Sequence, residues 1–97
     1  MVADYVAYDD LPWADEQVIR AHSAELIAIA ESIGLASVRY ASDNRLVVTR
    51  TEHVEPLGEY VFAEQASFFL GRQVRVYSDR VLDNPGVSPD LVAAAPL

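Results

Sequence analysis

The chain has 97 residues, enough for one small domain with a single core. Its formal charge is −8 at pH 7 and its seven basic side chains are all arginine, which makes nucleic acid a poor partner because binding it requires many cations that neutralise phosphates. The absence of cysteine excludes a disulfide framework and a thiolate metal site.

Hydrophobic residues form 52% of the chain, and the mean hydropathy is +0.11. We expect part of this apolar share to lie exposed and to be covered by a partner or by a second copy. An acidic surface favours a basic protein partner, because opposite fields speed encounter. No apolar run approaches the roughly 18 residues of a membrane span, and the N-terminus is acidic and aromatic, unlike a signal peptide. A cytoplasmic location is therefore expected.

Residues 1–13 mix aromatic and acidic side chains, and we predict an arm there that precedes a single domain over residues 14–97. The arm is either a solvated tail or added edge strand, or a segment whose aromatic residues dock on a partner. Aromatic anchors are favoured at interfaces because they bury much area at little entropic cost. The candidate partner-binding residues are Tyr5, Tyr8 and Trp13.

The first helix is predicted to run from Pro12 or Ala14 to Ile33. Pro12 suits a first turn, and apolar residues recur after it at spacings of three and four. Gly34 is expected to end the helix as a left-handed cap.

A β-hairpin is predicted over residues 36–50, ASVRYASDNRLVVTR. An alternating run ends near Tyr40, and a more continuous apolar run begins at Leu46. Residues 42–44, Ser-Asp-Asn, supply a three-residue turn, because Asp and Asn tolerate left-handed backbone and bond their own main chain.

A second helix is predicted over residues 57–70, with Gly71 as its cap. Its aromatic residues Tyr60, Phe68 and Phe69 are expected to pack on the sheet in the core.

The remaining segments predict a third strand over residues 73–78, which alternate strictly, and a short helix over residues 88–95 that opens with Ser-Pro. The fold class is therefore α+β in the order α-β-β-α-β-α. We expect a small three-stranded mixed sheet packed by two main helices.

Three segments resemble the minimal nucleotidyltransferases, small DNA-polymerase-β-like proteins often encoded beside a HEPN-type toxin. Residues 42–48 (SDNRLVV) are similar to the family's S-D-x-D-L-L-V, and residues 70–76 (LGRQVRV) are similar to its L-G-R-x-V-D-V. Residues 91–97 (LVAAAPL) are similar to its C-terminal helix. The resemblance covers about residues 15–97 and implies a nucleotidyltransferase-like domain.

The departures from the family pattern concern its metal site. In the family, three aspartates hold two magnesium ions that clamp the triphosphate. This chain keeps Asp43 at the first position, but Arg45 and Arg75 stand at the second and third, and a guanidinium cannot ligate a cation. The family's phosphate-binding Gly-Ser motif is also missing. These three residues are therefore expected to be vestigial, with no catalytic residue, no metal and no cofactor.

Together these features predict a catalytically inactive protein that binds another protein, as the antitoxin of a bacterial toxin–antitoxin pair whose basic toxin a neighbouring gene encodes. The alternatives are a nucleotide-binding sensor in which Arg45 and Arg75 grip phosphate, a structural homo-oligomer, and a residual nucleotidyltransferase that uses Asp43. We also predict that the two arginines lie side by side on the sheet. Nearby acids, Asp43 first among them, should neutralise the pair, because unpaired charges are costly when partly buried.

Overall fold

The computed structural model describes residues 10–97, which form four helices and a four-stranded mixed sheet of the α+β class. Tyr5 and Tyr8 lie outside the described residues. None of the helices in residues 10–97 combines the length and apolar surface that spanning a bilayer demands. In chain order the elements are α1 (Glu16–Ala21), α2 (Ser23–Ile33), β1 (Leu35–Ser42), β2 (Arg45–Arg50), α3 (Gly58–Leu70), β3 (Arg75–Ser78), a 3-10 helix (Asp79–Asp83), α4 (Pro89–Val92) and β4 (Ala95–Pro96).

The first helical stretch is two helices, α1 and α2, that meet at His22. Helix α1 begins after Asp15, whose carboxylate accepts a hydrogen bond from the Val18 N–H at 2.9 Å. At His22 the backbone leaves the helical region (φ −118°), and the His22 N–H bonds the Ile19 carbonyl at the tighter three-residue spacing. The prediction of one continuous helix was therefore wrong.

Residues 12–14 lie extended beside Gln73 and do not begin a helix. The Gln73 N–H donates to the Pro12 carbonyl at 2.7 Å, and the Ala14 N–H donates to the Gln73 carbonyl at 2.9 Å. Ala14 is itself buried in the core. These bonds tie the start of the described chain to the segment that leads into β3, which explains why Pro12 does not open the helix.

Both glycine caps predicted from the sequence are confirmed. Gly34 ends α2 with φ +94°, and Gly71 ends α3 with φ +66°. A Cβ at Gly34 would also lie 2.8 Å from the backbone of Val54. Glycine suits this position for two reasons. The backbone is left-handed, and the loop between β2 and α3 approaches too closely for a side chain.

The predicted hairpin is confirmed, with a shorter turn. Strands β1 and β2 pair antiparallel with Ser42 opposite Arg45, so the turn holds only Asp43 and Asn44. Asp43 adopts the left-handed conformation at φ +49°. The buried Asn44 side chain donates to the Gln73 carbonyl at 3.2 Å and anchors the turn to the segment that precedes β3.

The sheet has the order β3-β2-β1-β4, with β3 parallel to β2 and β4 antiparallel to β1. Strand β4 adds a fourth strand to the three predicted, because the last helix ends at Val92 and the chain then extends along β1. The Leu97 N–H donates to the Val38 carbonyl at 3.1 Å. Pro96 has no N–H to donate, which suits an edge strand and does not suit the predicted continuation of the helix.

The main core lies between one face of the sheet and helices α2 and α3. Leu46 and Val48 of β2 belong to this core, so strand alternation places Arg45 and Val47 on the opposite face. We call that opposite face the outer face. Val47 is nevertheless fully buried, because the 3-10 helix and α4 pack against β2.

Helix α3 turns Phe62 and four small residues inwards and three aromatic residues outwards. Its buried residues are Gly58, Phe62, Ala63, Ala66 and Ser67. Tyr60, Phe68 and Phe69 are 52%, 49% and 48% exposed. The prediction that these three pack in the core was therefore wrong, because the face of α3 that packs on the sheet is made of Phe62 and the small residues beside it.

Candidate functional site

Arg45 and Arg75, which the sequence predicts to be vestigial active-site residues, lie at the beginnings of two neighbouring strands. Arg45 is the first residue of β2, Arg75 is the first residue of β3, and the two are partners in the parallel ladder. Ladder partners direct their side chains to the same face of a sheet. The prediction that Arg45 and Arg75 lie side by side is confirmed.

Arg45 is neutralised by Asp90 of α4. The Arg45 Nη1 lies 3.1 Å from the Asp90 Oδ2, and the Ser42 hydroxyl donates to the same oxygen at 2.5 Å. The Ser42 hydrogen bond lowers the pKa of Asp90 below its ordinary value of 3.8, with a further contribution from Arg45 that partial desolvation opposes. The ion pair therefore persists down to acidic pH. The sequence pattern places Asp90 only in the first turn of a predicted helix, and it does not indicate a contact with Arg45.

Asp43 is exposed in the hairpin turn and is not the acid that neutralises the arginines. That prediction was wrong, because the turn is only two residues long and leaves Asp43 outside the strand ladder, whereas α4 brings Asp90 onto Arg45. The Asp43 carbonyl accepts the Tyr40 hydroxyl at 3.1 Å. Burial, together with the Glu16 and Asp43 carboxylates, raises the pKa of Tyr40, so this hydroxyl keeps its proton and holds the turn.

Arg75 is covered by an aromatic ring. Its Cζ lies 5.1 Å from the centre of the Trp13 ring, a cation–π contact. Trp13 is held at this point because its two neighbours in the chain bond to Gln73, and its side chain remains 58% exposed. Partner binding by Trp13 stays a prediction. The same prediction for Tyr5 and Tyr8 concerns residues that lie outside the described part of the chain.

A second polar cluster on the same side of the sheet was not predicted. The Arg39 Nη2 donates to the Thr49 hydroxyl at 3.0 Å and lies 3.6 Å from the Asp79 carboxylate, to which Thr49 donates at 2.8 Å. A groove of about 400 Å³ opens beside these three residues. Arg39, like Arg45, already has an acidic partner within the chain.

Within residues 10–97, no three His, Cys, Asp or Glu side chains come together as a group that could hold a metal ion. At the positions that the resemblance relates to metal ligands, this chain presents an Arg45–Asp90 ion pair and an Arg75–Trp13 stack. Chemically, the first is a neutralised pair and the second a cation with one face against an aromatic ring. Neither offers the open oxygen ligands that magnesium requires.

Comparison of the chain with protein-family models, curated proteins and solved structures found no match in any of the three.

Proposed function

We propose that this chain is a catalytically inactive protein of nucleotidyltransferase-like fold that acts in the cytoplasm by binding another protein. The observation that carries the proposal is the placement of Arg45 beside Arg75 at the start of adjacent parallel strands. These are the positions at which the family that the sequence resembles uses metal-binding aspartates. The described order of hairpin, helix and third strand supports the same relation.

The two arginines argue against nucleotidyl transfer and against nucleotide sensing. A guanidinium stays charged at physiological pH and offers no lone pair to a cation, so this pair would repel the magnesium ions that phosphoryl chemistry needs. Gripping phosphate directly would require free guanidinium groups. Arg45 already pairs with Asp90, so the two guanidinium groups are not both free, although the stack on Trp13 leaves the N–H edge of Arg75 open.

Binding to a protein is supported by the surface of the molecule. The formal charge of −8 favours a basic partner, and several large apolar side chains are exposed, among them Phe68 and Phe69. The proposed role is that of an antitoxin, which would cover a basic toxin encoded by a neighbouring gene. The gene arrangement comes from the resemblance and remains part of the proposal.

We expect no transfer of nucleotide by the purified protein. Labelled Mg-NTPs incubated with protein or RNA acceptors should give no product above the level without protein, and Asp43→Ala should leave that level unchanged, since Arg45 and Arg75 have replaced two of the three carboxylates. Robust transfer that Asp43→Ala abolishes would show a working active site and refute the proposed inactivity.

We expect the product of the adjacent gene to bind this protein, and its association rate to fall as salt rises, because the acidic surface steers a basic partner through screened Coulomb forces. Stopped-flow association at low and moderate salt tests the steering, and calorimetry gives the affinity. To test the aromatic arm, the truncation should remove residues 1–9 only, because residues 12–14 are bonded to Gln73. Lack of binding, together with a rise in melting temperature at millimolar nucleotide, would favour the sensor instead.

A further inference from the structure

A groove of about 340 Å³ runs along one edge of the sheet, between α3 and β3. Glu59, Tyr60 and Ala63 of α3 form one wall, and residues 73–77 form the other. Glu59 already pairs with Arg50, so the helix wall offers mainly the Tyr60 ring and Ala63 to an occupant. We call this space the β3 groove.

The backbone of β3 has one open side along this groove. Strand β3 stands at the end of the sheet order, and within residues 10–97 only β2 pairs with it. The Arg75 N–H donates to the Asn44 carbonyl, on the side of β2, at 2.8 Å. Successive residues of a strand direct their N–H and C=O groups to opposite sides, so those of Val76 point away from β2. The Val74 N–H points the same way as that of Val76, but it is bonded to the Ser67 hydroxyl at 3.1 Å. The open edge is therefore centred on Val76.

Positive charge without a carboxylate partner gathers around the same strand. Within residues 10–97, the arginines that pair with a carboxylate are Arg20, Arg39, Arg45 and Arg50. The other three of the seven are Arg72, Arg75 and Arg80, which precede, begin and follow β3. Arg75 lines the β3 groove, and its N–H edge stays open beside the Trp13 ring. The edge is thus complementary to an acidic occupant, although the chain as a whole is acidic.

We propose that the β3 groove binds an extended, acidic segment of a partner protein, which adds to the sheet as a strand antiparallel to β3. Addition of a strand to an exposed sheet edge is a recurrent mode of recognition, in which main-chain hydrogen bonds supply affinity and pockets for alternate side chains supply specificity. The antiparallel direction is the more stable pairing. This site is independent of the proposed antitoxin role, because its occupant is acidic rather than basic.

The geometry of the edge sets the pattern of the added segment. In an antiparallel pair, the residue opposite Val76 exchanges both main-chain hydrogen bonds with it, and the two side chains lie on the same face. Val76 packs against the core cluster, so the residue opposite it lies beside Tyr60 and Ala63 and should be apolar. Its neighbours lie on the outer face, opposite Arg75 and Tyr77, where a carboxylate would form a favourable cross-strand pair with the guanidinium. The segment is therefore expected to alternate apolar and acidic residues.

A second copy of this chain does not fit the edge. Helix α2 packs on β1 and α3 packs on β3, so the helices lie over strands about 9–10 Å apart, close to the usual distance between packed helices. Antiparallel pairing of two β3 strands about a twofold axis would place both α3 helices on one face, over strands only about 4.8 Å apart. The two helices would collide, whereas a single extended segment brings no helix with it.

The test uses eight-residue peptides, since the natural partner is unidentified. The first alternates valine and glutamate, and two further versions carry N-methyl groups on all the valines or on all the glutamates. The valine N–H groups should face β3, because the residue opposite Val76 is the apolar one. Calorimetry should show that methylation of the valines weakens binding at least about tenfold, and that methylation of the glutamates changes it by less than about twofold. Failure of the unmodified peptide to bind, or any other order of the three affinities, would overturn the proposal.

The charge preference is tested with a peptide that carries lysine in place of glutamate. At about 0.15 M salt, charges beyond about 8 Å are largely screened, so the contact with Arg75 should outweigh the formal charge of −8. We expect the glutamate peptide to bind about threefold more tightly than the lysine peptide, and Arg75→Glu to reverse this preference. The matched control is Arg20→Glu, an exposed position on α1 over Tyr40 of β1, which should leave the preference unchanged. Circular dichroism confirms that both variants are folded. A preference for lysine in the unaltered protein, or one that Arg75→Glu does not change, would overturn the proposal.

Two other occupants of the edge would be recognised in the same experiments. A dimer of the protein alone in analytical ultracentrifugation, dissociated by the valine–glutamate peptide, would assign the edge to a second copy. Binding of the peptide only after removal of residues 1–9 would assign the edge to the N-terminal segment of the chain itself. Either result would overturn the proposal of a partner strand, and neither would alter the tests of nucleotidyl transfer and of binding to the adjacent gene product.

Discussion

Replacing Phe62 by alanine is expected to lower the free energy of unfolding by about 3–5 kcal/mol, the usual cost of removing a buried aromatic side chain. Phe62 is fully buried in the cluster that joins α3 to the sheet, and truncation there would leave a cavity in a closely packed core. Domains of this kind have a total stability of about 5–15 kcal/mol. The expected loss is therefore a large part of the total stability of the domain. Urea denaturation of the variant and of the unaltered protein measures it.

Phe68→Ala is the matched control, because it makes the same chemical change on the same helix. Phe68 is half exposed, and we expect a cost below about 1 kcal/mol, as for most surface substitutions. Equal losses for the two variants would mean that α3 does not turn Phe62 inwards and Phe68 outwards.

The parts of the fold that could be predicted are those set by local chemistry. Gly34 and Gly71 end helices because their left-handed backbone suits glycine, and Asp43 adopts a left-handed turn for a related reason. The break at His22 could not be predicted in the same way, because no glycine or proline marks it and apolar periodicity continues through it. Strand β4 was missed because two residues give no periodic pattern.

The prediction of which side of α3 faces the sheet was wrong for a different reason. Its sequence has large apolar residues on more than one side, so periodicity alone does not say which side faces the sheet. In the structure the face with Phe62, Ala63, Ala66 and Ser67 packs on the sheet, and the small side chains beside Phe62 allow the helix to approach closely. The aromatic residues Phe68 and Phe69 are left outside, contrary to the prediction that they pack in the core.

The candidate site was predictable in its backbone and not in its contacts. Strand β2 of the hairpin and strand β3 lie side by side, and they place Arg45 and Arg75 in adjacent strands, as the sequence predicts. Asp90 is 45 residues from Arg45 in the chain, and Trp13 is also remote in sequence from Arg75. Contacts over such separations depend on how α4 and residues 12–14 pack, which local patterns do not specify.

The largest change in ligand binding is expected when both arginines of the ladder are replaced together, Arg45→Asp with Arg75→Asp. Under our proposed relation to the nucleotidyltransferases, this places carboxylates at two of the family's metal positions, the first of them beside Asp90. Without a cation, like charges on neighbouring strands repel, and the melting temperature should fall. Magnesium or manganese should raise it again, because an ion that binds only the folded state stabilises it by about 2.7 kcal/mol at 100 times its Kd.

The double variant Arg45→Ala with Arg75→Ala is the control for this effect, since it removes the same two cations and supplies no ligand. Thermal unfolding of both variants and of the unaltered protein, each with and without millimolar manganese, gives the comparison, and electron paramagnetic resonance counts the bound ions. We expect cation-dependent stabilisation in the aspartate variant alone. If that variant gains no more from manganese than the alanine variant does, the ladder positions do not correspond to the family's metal site. The proposal of an inactive nucleotidyltransferase fold would then lose its main support, because it depends on that correspondence.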